Sequence, residues 1–160
     1  MNTRSRTFTA RLAVLAAFFV NGLLLATWVS RIPAIQAKLN MSEGTLGLVL
    51  MGISAGVIVA LSMAGGLVGR FGSRPVTVAA GVGLCLVMPL PALMPTAPAL
   101  FASLFIFGAF LSTMDVAMNA QAVAVERRAS KPLMSSFHAA FSIGGLAGAL
   151  LGAAIVALGA

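Results

Sequence analysis

The sequence contains five apolar runs, each long enough to cross a lipid bilayer as a helix. A spanning helix needs about 20 mainly apolar residues. A helix also satisfies its own backbone hydrogen bonds, which the hydrocarbon core demands of any segment that crosses it. We call the five runs spans one to five in chain order, and they cover about residues 12–30, 44–68, 75–93, 99–123 and 133–158.

The composition agrees with lipid as the main solvent. Hydrophobic residues make up 60% of the 160 residues and charged residues only 8%, whereas a soluble domain carries about 25% charged residues. The apolar runs are about twice as long as the roughly ten-residue strands of a membrane β-barrel. We therefore predict an all-α integral membrane protein with five transmembrane helices, whose first partner is the lipid bilayer.

The formal net charge of +7 is distributed unevenly between the two ends of the spans. Only Arg31 and Lys38 lie at one end. The basic residues at the other end are Arg4, Arg6, Arg11, Arg70, Arg74, Arg127, Arg128 and Lys131. Positive-inside logic predicts a multi-pass protein of the plasma (inner) membrane with a cytoplasmic N-terminus and the C-terminus outside. No basic stripe with interleaved aromatic residues accompanies these charges, so we predict no nucleic-acid partner.

The sequence offers no group of residues suited to enzyme chemistry. Cys85 is the single cysteine and lies in an apolar run, so neither a disulfide framework nor a Cys/His metal site is predicted. No Ser/His/Asp set and no phosphate-binding glycine loop is present. We predict that the protein is not an enzyme and takes no cofactor or metal.

Asp115 is the one acidic residue well inside a span. An ionisable side chain at membrane depth is costly, and its default interpretation is functional. Asn119 lies one turn later on the same helical face, and Ser112 and Glu126 extend this polar stripe. We expect the stripe to face a cavity or a partner helix, with Asp115 handling protons or substrate. The alternative is a structural aspartate that is hydrogen-bonded to Asn119.

Three other polar residues are candidates for the same site. Asn21 lies near the middle of span one, and Trp28 shares its face seven residues later. An amide and an aromatic plane would suit a polar solute such as a sugar. The alternatives are an interhelical hydrogen bond for Asn21 and a position in the interfacial aromatic belt for Trp28, the latter being favoured. His138, in the first turns of span five, either pairs with Asp115 or packs within the protein.

Small residues recur every four positions on two spans, which allows helix backbones to approach closely. These ridges are formed by Gly52, Gly56, Ala60 and Ala64 on span two and by Gly144, Gly148 and Gly152 on span five. They predict either static packing or a sliding interface between two bundles.

Local signals mark several helix ends. Ser42 is predicted to cap span two, and Pro33 is expected to fall just past the first helix. The prolines near the end of span three should distort or end it.

The joint after span two resembles the signature of the major facilitator superfamily, approximately G-x-L-x-D-R-x-G-R-[RK]. The matching residues are Gly65, Leu67, Arg70, Gly72 and Arg74. Gly69 stands where the family has an Asp that holds one transport state closed, and Ser73 replaces a common basic residue. The run 115–121, followed by Ser136-Phe137-His138, resembles the fucose-permease-like branch. In that branch the acid of the fourth helix is associated with proton coupling.

The resemblance implies a fold of twelve helices, in which each half is a pair of three-helix inverted repeats. This chain would be an N-terminal fragment with five of the twelve helices, and its partner would be the missing C-terminal half or another helix bundle. The implied function is transport of a small polar solute by proton symport, in a form expected to be truncated and inactive by itself. A different hypothesis is a non-transporting membrane interaction protein that assembles through its glycine faces.

Overall fold

The computed structural model describes residues 3–158 and the side chains of residues 7–158, so the side chains of Arg4 and Arg6 lie outside the described part. Residues 3–158 form helices joined by short connections and contain no strand. The helices are α1 (Thr3–Lys38), α2 (Glu43–Phe71), α3 (Ser73–Val87), α4 (Leu90–Leu93), α5 (Ala97–Ala129) and α6 (Met134–Ala157). The prediction of an all-α fold is confirmed.

Five segments of the described chain are long and apolar enough to cross a membrane. They are α1, α2, the combination of α3 and α4 (Ser73–Leu93), α5 and α6. The helices extend beyond the apolar runs of the sequence, because α1 and α5 continue past the apolar core into their basic ends. The chain is thus built as a multi-pass membrane protein.

The helix ends follow the local signals in all but one case. The Ser42 hydroxyl accepts a hydrogen bond from the backbone N–H of Thr45 at 3.2 Å, which confirms the predicted cap of α2. The prolines after Val87 interrupt the third span, which resumes as the single turn α4. The expectation for Pro33 is wrong, because α1 runs through it to Lys38. A proline removes one N–H donor, and the remaining hydrogen bonds of a long helix can tolerate that loss.

The helices pack mainly as two parallel pairs. α1 lies along α6 and α2 lies along α5, while α3 packs against the other side of α5. The two pairs meet where α1 crosses α5, and large buried side chains fill this centre, among them Phe18 of α1, Phe107 of α5 and Phe137 of α6. Phe18 and Phe137 stack with their ring centroids 5.7 Å apart.

Both glycine ridges lie at these paired interfaces. A Cβ atom on Gly144 or Gly148 would collide with backbone carbonyls of α1, and one on Gly56 would collide with the Phe105 carbonyl of α5. Gly52 and Gly152 are buried at the same interfaces. The ridges therefore serve packing within the chain and are not exposed to a second bundle.

Candidate functional site

Asp115 lies on α5 with its side chain exposed at the surface of the chain. The Asn119 side-chain amide donates to the Asp115 carboxylate at 3.2 Å and to the Asp115 backbone carbonyl at 2.9 Å. His138, from the neighbouring helix α6, lies close enough to interact electrostatically with Asp115. Three of the residues singled out in the sequence thus come together as one polar group on an apolar span.

One side-chain contact and one backbone hydrogen bond define the surroundings of His138. Its ring meets Phe18 of α1 edge to face, with the centroids 5.3 Å apart. Its backbone carbonyl accepts a hydrogen bond from the Ser142 hydroxyl at 3.2 Å, one turn further along α6. The imidazole therefore has an apolar neighbour on one side, while His138 as a residue is exposed.

The polar stripe predicted on span four is not one surface. Ser112 is buried, whereas Asp115 is exposed, because three residues on a helix leave side chains about 60° apart around its axis. Glu126 turns away to the start of α6, where its carboxylate accepts the backbone N–H groups of Leu133 and Met134 at 2.6 and 2.7 Å. Glu126 is therefore a helix cap rather than a member of the Asp115 group.

Asn21 and Trp28 are inside the bundle rather than on the surface with Asp115. Their side chains are 2% and 3% exposed, and neither the Asn21 amide nitrogen nor the Trp28 indole nitrogen has a hydrogen-bond partner. The Trp28 ring packs against Phe107 of α5, with the centroids 6.2 Å apart. The interpretation of Trp28 as an interfacial belt residue is wrong, because a belt side chain faces lipid.

The turn between α2 and α3 depends on one glycine of the signature, Gly72. Gly72 has a φ of +85° and alone separates α2 from α3, and its N–H closes α2 by donating to Val68 at 2.9 Å. L-residues rarely adopt such a φ, so glycine is required there. The Arg70 guanidinium lies 5.2 Å from the centroid of the Phe71 ring, which is typical of a cation–π contact. Gly65 has open space around it.

Two hydrogen bonds between helices were not predicted from the sequence. The Gln121 amide of α5 donates to the Thr77 hydroxyl of α3 at 2.8 Å, and the Lys38 ammonium donates to the Ala92 carbonyl at 2.8 Å. Polar residues inside apolar spans are the signal that could have indicated the first link, since such residues seek partners on adjacent helices. Nothing in the sequence connects Lys38 with Ala92.

The chemistry available at the surface of α5 and α6 is proton exchange and hydrogen bonding. A carboxyl group and an imidazole both take up and release protons, and an amide both donates and accepts hydrogen bonds. This group is the candidate functional site of the described part of the chain.

The Major Facilitator Superfamily profile matches residues 12–160. The chain therefore belongs to the Major Facilitator Superfamily, a family of membrane transporters. No solved structure matches the chain.

Three curated relatives are similar to most of this chain. An uncharacterized MFS-type transporter of Yersinia pestis is 41% identical over 133 residues, which are 83% of this chain and 35% of the relative. An uncharacterized transporter of Sinorhizobium fredii is 36% identical over 144 residues, covering 90% of this chain and 38% of the relative. The membrane protein MosC of Rhizobium meliloti is 34% identical over 136 residues, covering 85% of this chain and 33% of the relative. The chain thus spans about a third of the length of these relatives.

Proposed function

We propose that this chain is part of a secondary transporter that carries a small polar solute, such as a sugar, by proton symport. The observation that carries the proposal is the group formed by Asp115, Asn119 and His138, which combines an acid, an amide and an imidazole on two mainly apolar helices. Family membership supports transport in general. The transporter would lie in the plasma (inner) membrane, with the basic helix ends and the N-terminus in the cytoplasm.

Asp115 is the proposed proton carrier. Its carboxylate accepts one hydrogen bond from Asn119, which leaves acceptor sites open for a proton or a solute hydroxyl. His138 supplies a second titratable group from α6. Uptake of a proton by Asp115 removes a charge from the surface of the span, which lowers the cost of a conformational change that exposes this surface to apolar surroundings.

Asn21 and Trp28 are proposed to join the solute site after a rearrangement of the helices. Both bear a buried N–H group without a partner, and an unmade hydrogen bond of a buried donor costs about 1–3 kcal/mol. A solute oxygen that reached these donors would recover that cost. The signature residues of the α2–α3 joint are proposed to act in gating, without the Asp that Gly69 replaces.

The experiment is solute-driven proton entry into proteoliposomes. The intact Yersinia relative and this chain are reconstituted separately with a pH-sensitive dye inside, and a panel of hexoses and pentoses is added outside. We expect acidification with at least one sugar for the relative. We expect none for this chain, because its five spans provide only part of the transport path.

Substitutions of the acid test the coupling role. In the relative, Asn at the residue aligned with Asp115 should abolish sugar-dependent proton entry while sugar exchange across the membrane continues. The matched control is Glu at that position, which keeps the carboxyl group and should retain part of the coupling. Proton-driven accumulation that persists with Asn would show that Asp115 does not carry the proton.

A further inference from the structure

An apolar groove of about 410 Å³ lies between α2, α3 and α5. Thr113 is the one polar residue among its described lining residues. Ala79 and Ala80 of α3 and Ala109 of α5 keep this space open, because their side chains are small. Ala79 is exposed, so the groove opens to the surroundings of the spans. Those surroundings are lipid chains, since all three helices belong to membrane-spanning segments.

The groove is much shorter than the spans that form it. Phe71, at the end of α2, lines it together with Pro75 to Ala80 of α3. One turn further along α3, a Cβ on Gly83 would collide with the Phe110 ring, so this ring covers the helix there. From Pro75 to Gly83 an α-helix rises about 12 Å, whereas the hydrocarbon core is about 30 Å thick. The groove therefore has the length of part of one acyl chain rather than of a spanning helix.

Arg70 places a cation at the end of the groove where α2 stops. Its guanidinium lies 5.2 Å from the centroid of the Phe71 ring, and Phe71 lines the groove. Arg70 is exposed, and Gly69 before it has open space around it. The guanidinium is therefore accessible to a group that enters from outside the chain.

The acidic residues of the chain are engaged elsewhere. The sequence has only three of them. Glu43 begins α2 at the opposite end from Arg70. Glu126 accepts backbone N–H groups at the start of α6, and Asp115 accepts a hydrogen bond from Asn119. A guanidinium binds phosphate through two parallel hydrogen bonds. A headgroup with a net negative charge thus fits this end, whereas the ammonium of a zwitterionic headgroup would find no carboxylate beside it.

We propose that this groove binds one anionic phospholipid, with its phosphate on Arg70 and the first part of an acyl chain against Ala79 and Ala80. Basic pockets between transmembrane helices are suited to anionic headgroups. The phosphate and the chain are then matched by a cation and by an apolar groove that lie next to each other. The lipid site depends neither on solute transport nor on the role of Asp115.

The experiment is photo-cross-linking of lipid to the chain in vesicles. The purified chain is reconstituted into phosphatidylcholine vesicles that contain a trace of a photoactivatable lipid, either phosphatidylglycerol or phosphatidylcholine. Both probes carry a diazirine in the upper part of one acyl chain. After illumination, mass spectrometry locates the labelled residues, and the labelling of residues 71–80 is compared between the two probes.

We expect the phosphatidylglycerol probe to label residues 71–80 about fivefold more than the phosphatidylcholine probe, which is the preference expected of one arginine at an anionic surface. Unlabelled phosphatidylglycerol should remove this preference by competition, a result that requires no variant. Arg70→Gln should abolish the preference and Arg70→Lys should retain most of it. Ala79→Phe should fill the groove and reduce labelling by both probes.

The matched control is Arg128→Gln, which removes a basic residue that lines a different groove, between α1, α3 and α5, and should leave the labelling of residues 71–80 unchanged. Equal labelling by the two probes, or a preference that survives Arg70→Gln, would overturn the proposal. So would a groove that neither probe labels, which is the result expected if a second copy of the chain or another protein segment covers it.

Discussion

Replacing Gly144 with alanine should separate α1 from α6 and destabilise the bundle. A Cβ on Gly144 would overlap the Phe19 carbonyl oxygen and lie 2.8 Å from the Phe19 carbonyl carbon. Carbon atoms in good contact are about 3.5–4.0 Å apart, so the two backbones must move apart locally by roughly 1 Å. The obstacle is backbone within a helix, which cannot rotate away as a side chain can.

The neighbouring glycine provides a matched control. A Cβ on Gly145 would meet only the Gly22 carbonyl oxygen, at an ordinary 4.0 Å. Overpacking costs about 1–3 kcal/mol, whereas alanine in place of glycine improves helix propensity by up to about 1 kcal/mol. Gly144→Ala should therefore destabilise the chain by about 1–2 kcal/mol, and Gly145→Ala should leave its stability unchanged or slightly raised.

The assay is unfolding by sodium dodecyl sulfate in mixed micelles, followed by tryptophan fluorescence. Trp28 is the only tryptophan, and it is buried against Phe107 between α1 and α5, so its emission reports the integrity of the helix contacts. The unfolding midpoint should fall for Gly144→Ala alone. Equal midpoints for the two variants would refute the argument that the backbones of α1 and α6 are in direct contact.

Three further variants test single contacts in the same unfolding assay. Glu126→Ala removes the acceptor for two backbone N–H groups at the start of α6 and should cost about 1 kcal/mol. Glu126→Gln keeps an acceptor oxygen and should recover part of the lost stability. An unchanged unfolding midpoint for Glu126→Ala would contradict the capping role. Gln121→Leu should cost about 0.6 kcal/mol by loss of its hydrogen bond to Thr77. Thr77→Val also removes the hydroxyl bond to the Ser73 carbonyl, so the losses of the two variants should be less than additive when they are combined; fully additive losses would argue against the bond between Gln121 and Thr77. Gly72→Ala should cost about 1–3 kcal/mol because residues other than glycine rarely adopt its φ of +85° and ψ of 153°, whereas Gly65→Ala, in open space, should not; similar values for the two would contradict the turn geometry.

The spans and several helix ends could be predicted because they depend on local physics. Long apolar runs can only be helices in lipid, and a cap such as Ser42 acts within its own turn. The expectation that α1 ends before Pro33 was wrong, because the continuation of α1 depends on the whole helix rather than on one residue. The glycine ridges indicated close packing, but the choice of partner helix required the three-dimensional arrangement.

The candidate site was predictable only in part. The hydrogen bond between Asp115 and Asn119 follows from one-turn spacing on a helix. The burial of Trp28 and the role of Glu126 could not be read from the sequence, because both depend on the rotation of one helix relative to another. Helical spacing placed Glu126 on the polar stripe. Spacing does not determine whether the flexible Glu126 side chain reaches the start of α6.

Five helices that cross the bilayer with their basic ends in the cytoplasm would place successive joints on opposite sides of the membrane, and reporter fusions measure this directly. Alkaline phosphatase and green fluorescent protein would be fused in turn after Asn40, Gly72, Pro95 and Lys131, which lie in the successive joints. We expect active phosphatase after Asn40 and Pro95 and fluorescence after Gly72 and Lys131. Two successive joints in the same compartment, or the reverse pattern throughout, would contradict it.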